Sequence, residues 1–251
     1  MEAYASAPQI YAAGLIFARL GAMLMLMPGV GDGSVPARIR LAFAFLFALM
    51  LFPVLGGEVG AVPASNGAMF AQIFREILIG LMIGTVLKMM LAALGIAGEI
   101  VSIQSTLAFS QTANPGQAQP STSLSTFLTV MGVTLIMSTD LHHMFLAAIV
   151  SSYRVFPFGG GAPVGDAAQL AVQTVAQSFS LGLQLAAPVV VFSLIFNVAA
   201  GLVGRVMPAF QIFFVATPLL VLSALSIFAL SLGVLGMVWV ERYRELIALF
   251  L

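Results

Sequence analysis

Residues able to do chemistry are few in this chain, and they stand in places that discourage it. Arg19, Arg75, Glu76, Lys88, Glu99, Asp140, His142, His143 and Arg205 lie within or at the ends of long apolar stretches. Catalysis would need two or three of them to converge. Lys88 and Glu99 are eleven residues apart, about three helical turns, so they share a face but cannot touch along one helix. Glu76 and Glu99 are also too far apart along one helix to work as a carboxylate pair. His142 and His143 are adjacent, and adjacent helical residues point about 100° apart, so they do not make the i, i+4 metal pair. Beside Asp140 at a segment junction they read as an interface, in preference to a ligand or proton relay. The motifs HExxH, G-x-S-x-G and the P-loop do not occur in the sequence. This reading yields no catalytic residue, no cofactor site, no metal site and no enzyme. Ionisable groups in an apolar helix pair with one another or face an aqueous path. Arg19 must therefore face protein or snorkel, and Lys88 and Glu99 must find partners on other helices or chains.

One stretch stands apart. Residues 104–123, QSTLAFSQTANPGQAQPSTS, carry no charge, are rich in Gln, Ser and Thr, and are broken by Pro115, Gly116 and Pro120. Apolar segments flank them on both sides. Non-helical backbone near membrane depth is tolerated only where it is buried in protein or lines a water-filled cavity. A neutral polar segment can satisfy its backbone there without the desolvation cost of an ion. It reads as a candidate constriction or gate; the alternative is a solvated surface loop that lacks charge.

The elements that must position these residues are membrane helices. Apolar residues make up 61% of the 251 and charged residues 7%, with a mean hydropathy of +1.12, against about 25% charged in soluble domains. Net charge is zero and there is no basic tract, so nucleic-acid binding has no electrostatic footprint. The absence of cysteine removes disulfides and thiolate chemistry. The first residues, MEAYASAPQ, lack the positive start of a cleaved signal peptide.

The first apolar segment runs Ile10 to Met27, with small residues Gly14, Ala18 and Ala22 at four-residue spacing, and ends at Pro28-Gly29. Arg38 and Arg40 precede the next run, Leu41 to Phe52, and place that linker on the cytoplasmic side. Pro53 to Gly67 reads as a connection. A third segment, Gln72 to Ile103, holds Arg75, Glu76, Lys88 and Glu99 and a Gly80/Gly84 GxxxG packing signal. After the polar stretch, Leu124 to Ser138 and Leu141 to Phe156 flank Thr139-Asp140. Each is shorter than the ~20 residues of a spanning helix, so they form either a half-depth hairpin or one long helix with Asp140 inside it. The breaker PFGGGAP, Pro157 to Pro163, marks a boundary between two halves. The second half has two long segments, Ala167 to Ala200 and Ala209 to Val240, joined by Gly201 to Pro208, with Pro188 and Pro218 expected to kink them. Trp239, Arg242, Tyr243 and Arg244 read as an interfacial anchor. Single crossings from an outside N-terminus put Arg205 outside, against the positive-inside tendency. That misfit points to an unusual insertion.

Specific motifs carry the next step. Ser34-Val35-Pro36-Ala37-Arg38-Ile39-Arg40 resembles the SVPxRVR/K stretch of the FliR family, the flagellar export-gate proteins related to the T subunits of virulence injectisomes (the type III secretion export-gate R/T family). Arg75-Glu76-Ile77-Leu78-Ile79-Gly80 with Gly84 is similar to that family's EILIGxxxG segment. Gly98-Glu99-Ile100 through Gln104, Leu107-Ala108-Phe109 and Asn114-Pro115 resembles its GE-I-x-x-Q-x-x-LSF-x-x-x-x-DP stretch. Gly201-Leu202-Val203 with Arg205, Pro208 and Phe213 to Pro218 is similar to its GL-x-x-R-x-x-P…F-x-x-G-x-P pattern. Thr106, Asn114 and Ala216 depart from the family, standing where Gly, Asp and Gly are common.

The resemblance implies an all-α integral membrane protein of irregular helical hairpins, a single export-gate unit over 1–251. Residues 1–163 would be P-subunit-like and 164–251 a Q-subunit-like long helical hairpin. It implies FliP-like and FliQ-like partners, FlhB-like and FlhA-like export components, unfolded protein substrates, and a multi-pass place in the bacterial inner membrane within the flagellar basal body. The pore loop would fall on Gln104, Leu107, Phe109, Ser110, Gln111, Asn114 and Pro115. Arg19, Arg75, Glu76, Lys88, Glu99, Asp140 and Arg205 would be intramembrane or intersubunit charges. Two other readings remain open at this point: an injectisome homologue, and a small-solute transporter with a midplane site at Lys88, Glu99 or Asp140.

Overall fold

The computed structural model describes residues 6–33, 35–108, 121–161, 164–207 and 211–251. Among the described residues every regular element is helical: α1 (Ala7–Leu26), α2 (Ala37–Leu55) with a 3-10 turn at Gly56–Glu58, α3 (Asn66–Gln104), α4 (Ser123–Ser138), α5 (Leu141–Val155), α6 (Val164–Val206) and α7 (Ile212–Ala248). Five of these are long and apolar enough to cross a membrane, and six if α4 and α5 are taken together as one broken span. The protein is an all-α integral membrane protein.

Local chemistry sets the helix ends. The backbone N–H of Ser6, before α1, donates to Gln9 Oε1 at 2.8 Å, which satisfies a donor at the start of the helix. At the other end Met27 is extended (φ −62°, ψ 129°), as a residue before proline prefers. Two connections are shorter than the sequence implies. Pro53 lies inside α2, so the link to α3 begins only after Leu55. Gly201 to Val206 continue α6; Gly201 and Gly204 cost the helix about 1 kcal/mol each, too little to end a helix of 43 residues. Pro188 and Pro218 likewise lie within α6 and α7. Thr139-Asp140 does end a helix, because Asp140 is left-handed at φ 59°. The one-long-helix reading of residues 124–156 is thereby excluded.

The chain divides into two compact units. The first comprises Met1–Met89, Asp140–Val175 and Arg244–Leu251. Its core joins Ile16, Leu20, Met23 and Leu24 of α1 to Ile79, Ile83 and Leu87 of α3 and to Phe145, Ile149 and Tyr153 of α5, all nearly inaccessible. The second comprises Met90–Thr139 and Ala176–Tyr243. Its core uses Leu94, Ala97 and Val101 of α3, Leu128 and Ile136 of α4, Leu185 and Val189 of α6, and Trp239 and Tyr243 of α7.

Trp239 and Tyr243 overturn the expectation of an interfacial anchor. Both are fully buried, their rings are 4.9 Å apart, and the indole N–H donates to Met90 O at 3.1 Å. A buried indole needs such an acceptor. Three spans are the most open: only 17% of the apolar span of α6, 22% of that of α2 and 28% of that of α7 is buried, against 56% for α3. Apolar surface on that scale is covered by lipid or by other chains.

Candidate functional site

In the first unit, the glycines of α3 determine how closely α1 approaches. A Cβ at Gly80 would stand 2.2 Å from Arg19 O, and one at Gly84 would stand 2.9 Å from Met23 O and Leu26 Cβ. Only glycine permits that backbone approach. The approach carries Arg19 onto Glu76, one turn before Gly80, and Arg19 Nε donates to Glu76 Oε2 at 2.6 Å. Arg75 Nη1 donates to the other carboxylate oxygen at 3.0 Å. Arg19 and Glu76 are each 1% exposed.

Two arginines on one glutamate leave a surplus positive charge, and backbone carbonyls absorb it. Arg19 Nη1 donates to Ser152 O at 2.9 Å and Nη2 to Phe156 O at 2.8 Å. Arg75 Nη2 donates to Pro157 O at 2.9 Å, and its Nε to Gly161 O at 3.4 Å. These oxygens lie at and beyond the negative end of α5, where a cation is favoured. Tyr153 covers the Arg19 guanidinium at 4.2 Å, a desolvated cation–π contact of about 2 kcal/mol, and its hydroxyl donates to Ile16 O at 3.3 Å. Tyr11 Oη donates to Gln72 Oε1. The cluster thus binds α1, α3, the C-terminal end of α5 and the chain after it. It offers no open face to a substrate.

In the second unit, another set of contacts closes the base of the polar segment. Gly98 lies against α4: a Cβ there would be 2.4 Å from Ser125 Cα. That brings Glu99 to the start of α4, where its Oε1 accepts from Thr122 N at 2.8 Å. Thr122 caps α4, accepting from Ser125 N at 3.3 Å, and its Oγ1 accepts from Ser102 Oγ at 3.0 Å. Gln104 Oε1 accepts from the fully buried Ser193 of α6 at 2.9 Å. The chain leaves α3 through Thr106, a β-branched residue at φ 63°, a left-handed conformation that costs such a residue roughly 1–2 kcal/mol. Glycine is free of that cost. Thr106→Gly is therefore expected to raise stability by about 1 kcal/mol, seen as a thermal midpoint about 2–4 °C higher for a chain of this size.

The sequence-derived residues fall into three groups. Arg19, Arg75, Glu76, Gly80 and Gly84 come together in the first unit, and Glu99 and Gln104 help hold the base of the polar segment in the second. Lys88, Asp140 and Arg205 are exposed in the isolated chain. Leu107 is half-buried. Phe109, Ser110, Gln111, Asn114 and Pro115 lie outside the described residues. Ser152, Tyr153, Thr122, Ser102 and Ser193 escaped the sequence reading; nothing marks them except polar atoms in apolar surroundings, since several of their contacts use backbone groups.

The family described as bacterial export proteins, family 1, matches residues 10–246. The chain is 59% identical over 250 residues to the flagellar biosynthetic protein FliR of Caulobacter vibrioides, covering 100% of both chains. It is 27% identical to FliR of Bacillus subtilis over 94% of each chain. It is also 27% identical to FliR of Escherichia coli over 84% of this chain and 80% of the relative. The chain belongs to family 1 of the bacterial export proteins, as a multi-pass membrane component of the flagellar export apparatus.

Proposed function

We propose that the chain is a passive component of a gated protein-conducting channel in the bacterial inner membrane, formed with FliP-like and FliQ-like subunits and served by FlhA-like and FlhB-like components. On this reading residues 1–163 act as the P-like part and 164–251 as the Q-like hairpin, whose open apolar faces meet neighbouring subunits and lipid. The segment 104–123 contributes to closure. It must exclude ions yet yield to an unfolded chain of any sequence. Neutral polar groups with Leu107 and Phe109 pack when closed but hold no passing side chain strongly, whereas a charge would retain substrates of opposite sign. The observation that carries the reading is the tied base: Glu99 and Ser102 on one side and Thr122 on the other join the two ends of a charge-free segment, with Glu99 and Thr122 bonded at 2.8 Å. A segment clamped at both ends can be displaced and return.

Family membership replaces the small-solute reading at Lys88, Glu99 and Asp140, and the carboxylate of Glu99 is engaged by Thr122 N. Co-purification tests the assembly. The chain, solubilised mildly from membranes, is expected to bring down P-like and Q-like subunits and to be depleted from membranes that lack them. A chain that accumulates normally and purifies alone from cells with all partners present contradicts the proposal.

A further inference from the structure

We propose that Asp140, His142 and His143 form a binding site for a divalent transition-metal ion, with zinc as the species to test. The donor atoms of the three side chains lie within 4.8 Å of one another. His143 Nδ1 and Asp140 Oδ1 are 3.4 Å apart. Two ligands each about 2.1 Å from a tetrahedral zinc ion are separated by about 3.4 Å, so this edge of the site already has the right span. The two imidazoles, expected from sequence to diverge, lie side by side with ring centroids 4.1 Å apart and planes 38° apart.

Local backbone explains the convergence. Asp140 is left-handed at φ 59°, and the three residues occupy the N-cap and first turn of α5 instead of a regular helix interior. An aspartate at this position ordinarily caps the helix with its carboxylate; this one makes no such bond and turns to His143 instead. The side chains of Asp140 and His143 are 78% and 68% exposed, so an ion can enter from solvent.

The donor set selects the class of ion. Two imidazoles and a carboxylate suit zinc, nickel or copper, whereas calcium and magnesium take oxygen ligands. Three protein ligands leave at least one position for water or for a group from a neighbouring chain. A bound ion would fix the Thr139-Asp140 break, and with it the start of the helix whose far end receives Arg19.

The test is a zinc titration of the full-length chain, purified in detergent with its associated subunits, without a histidine tag and after removal of metal by chelator. The parent is expected to bind one zinc ion per chain more than the His142→Ala/His143→Ala double variant. Asp140→Asn is expected to weaken that binding at least about tenfold, a loss typical even of groups that only support a ligand. Glu58→Gln, an exposed carboxylate elsewhere, should leave it unchanged. Asp140 and His143 are exposed and His142 is half-buried, so equal gel-filtration profiles should accompany these changes. Equal zinc uptake by the parent and the double variant, or no uptake by the parent, overturns the proposal.

Discussion

Glu76→Ala is expected to destabilise the chain by about 3–5 kcal/mol, the cost of breaking a buried ion pair. The substitution strands Arg19, which is 1% exposed, on carbonyls alone, and removes the acceptor of Arg75 Nη1. A loss of that size approaches the whole margin of a typical domain. The amount of chain in membranes should collapse, and its melting midpoint in detergent should fall by roughly ten degrees. Removing the charges together should hurt less. Arg19→Met with Glu76→Met leaves no unpaired buried carboxylate, and Arg75 keeps the carbonyls of Pro157 and Gly161. A double variant as stable as, or more stable than, Glu76→Ala would separate the penalty of an orphaned charge from the net value of the pair. Additive losses would show that Arg19 and Glu76 contribute independently.

Gly80→Val should be the second large effect. The first atom met by a Cβ is Arg19 O at 2.2 Å, a backbone atom that cannot rotate aside. Relief requires α1 and α3 to separate, which lengthens the Arg19–Glu76 contact as well. Overpacking costs about 1–3 kcal/mol, and here the weakened ion pair adds to it, so about 3 kcal/mol or more is expected. Gly14→Val is the control, because nothing lies within 4 Å of a Cβ there. Thermal unfolding in detergent distinguishes them; equal losses at the two positions would remove close approach as the reason for Gly80.

Much of the architecture could be read from hydropathy. Apolar runs bounded by Pro28, Thr139-Asp140 and residues 157–163 correspond to helices that end close to those points, because proline geometry and a left-handed aspartate act locally. Gly201 and Trp239 show where local reading stops. Gly201 and Gly204 do not stop a helix supported over many apolar residues, and a tryptophan near a chain end looks the same whether it meets lipid headgroups or Met90 O. The four-residue spacing of Gly80 and Gly84 was visible, but not that Arg19 lies opposite. The carbonyls that receive Arg19 and Arg75 had no signature at all, since every residue has one. For the same reason the Asp140–His143 arrangement depends on a backbone angle that residue order does not disclose. Thr106 was visible only as a departure from the resembled pattern, and its φ of 63° is a conformation that glycine adopts without steric cost.

On the proposed function, a neutral polar segment of this chain closes a shared protein-conducting pore. Conductance of the assembled complex in planar bilayers, with residues 109–117 deleted from this chain, tests it most directly. A complex that retains its P-like and Q-like subunits but passes ions in the resting state, where the parent does not, is the predicted result. An assembled deletion complex as tight to ions as the parent would contradict it.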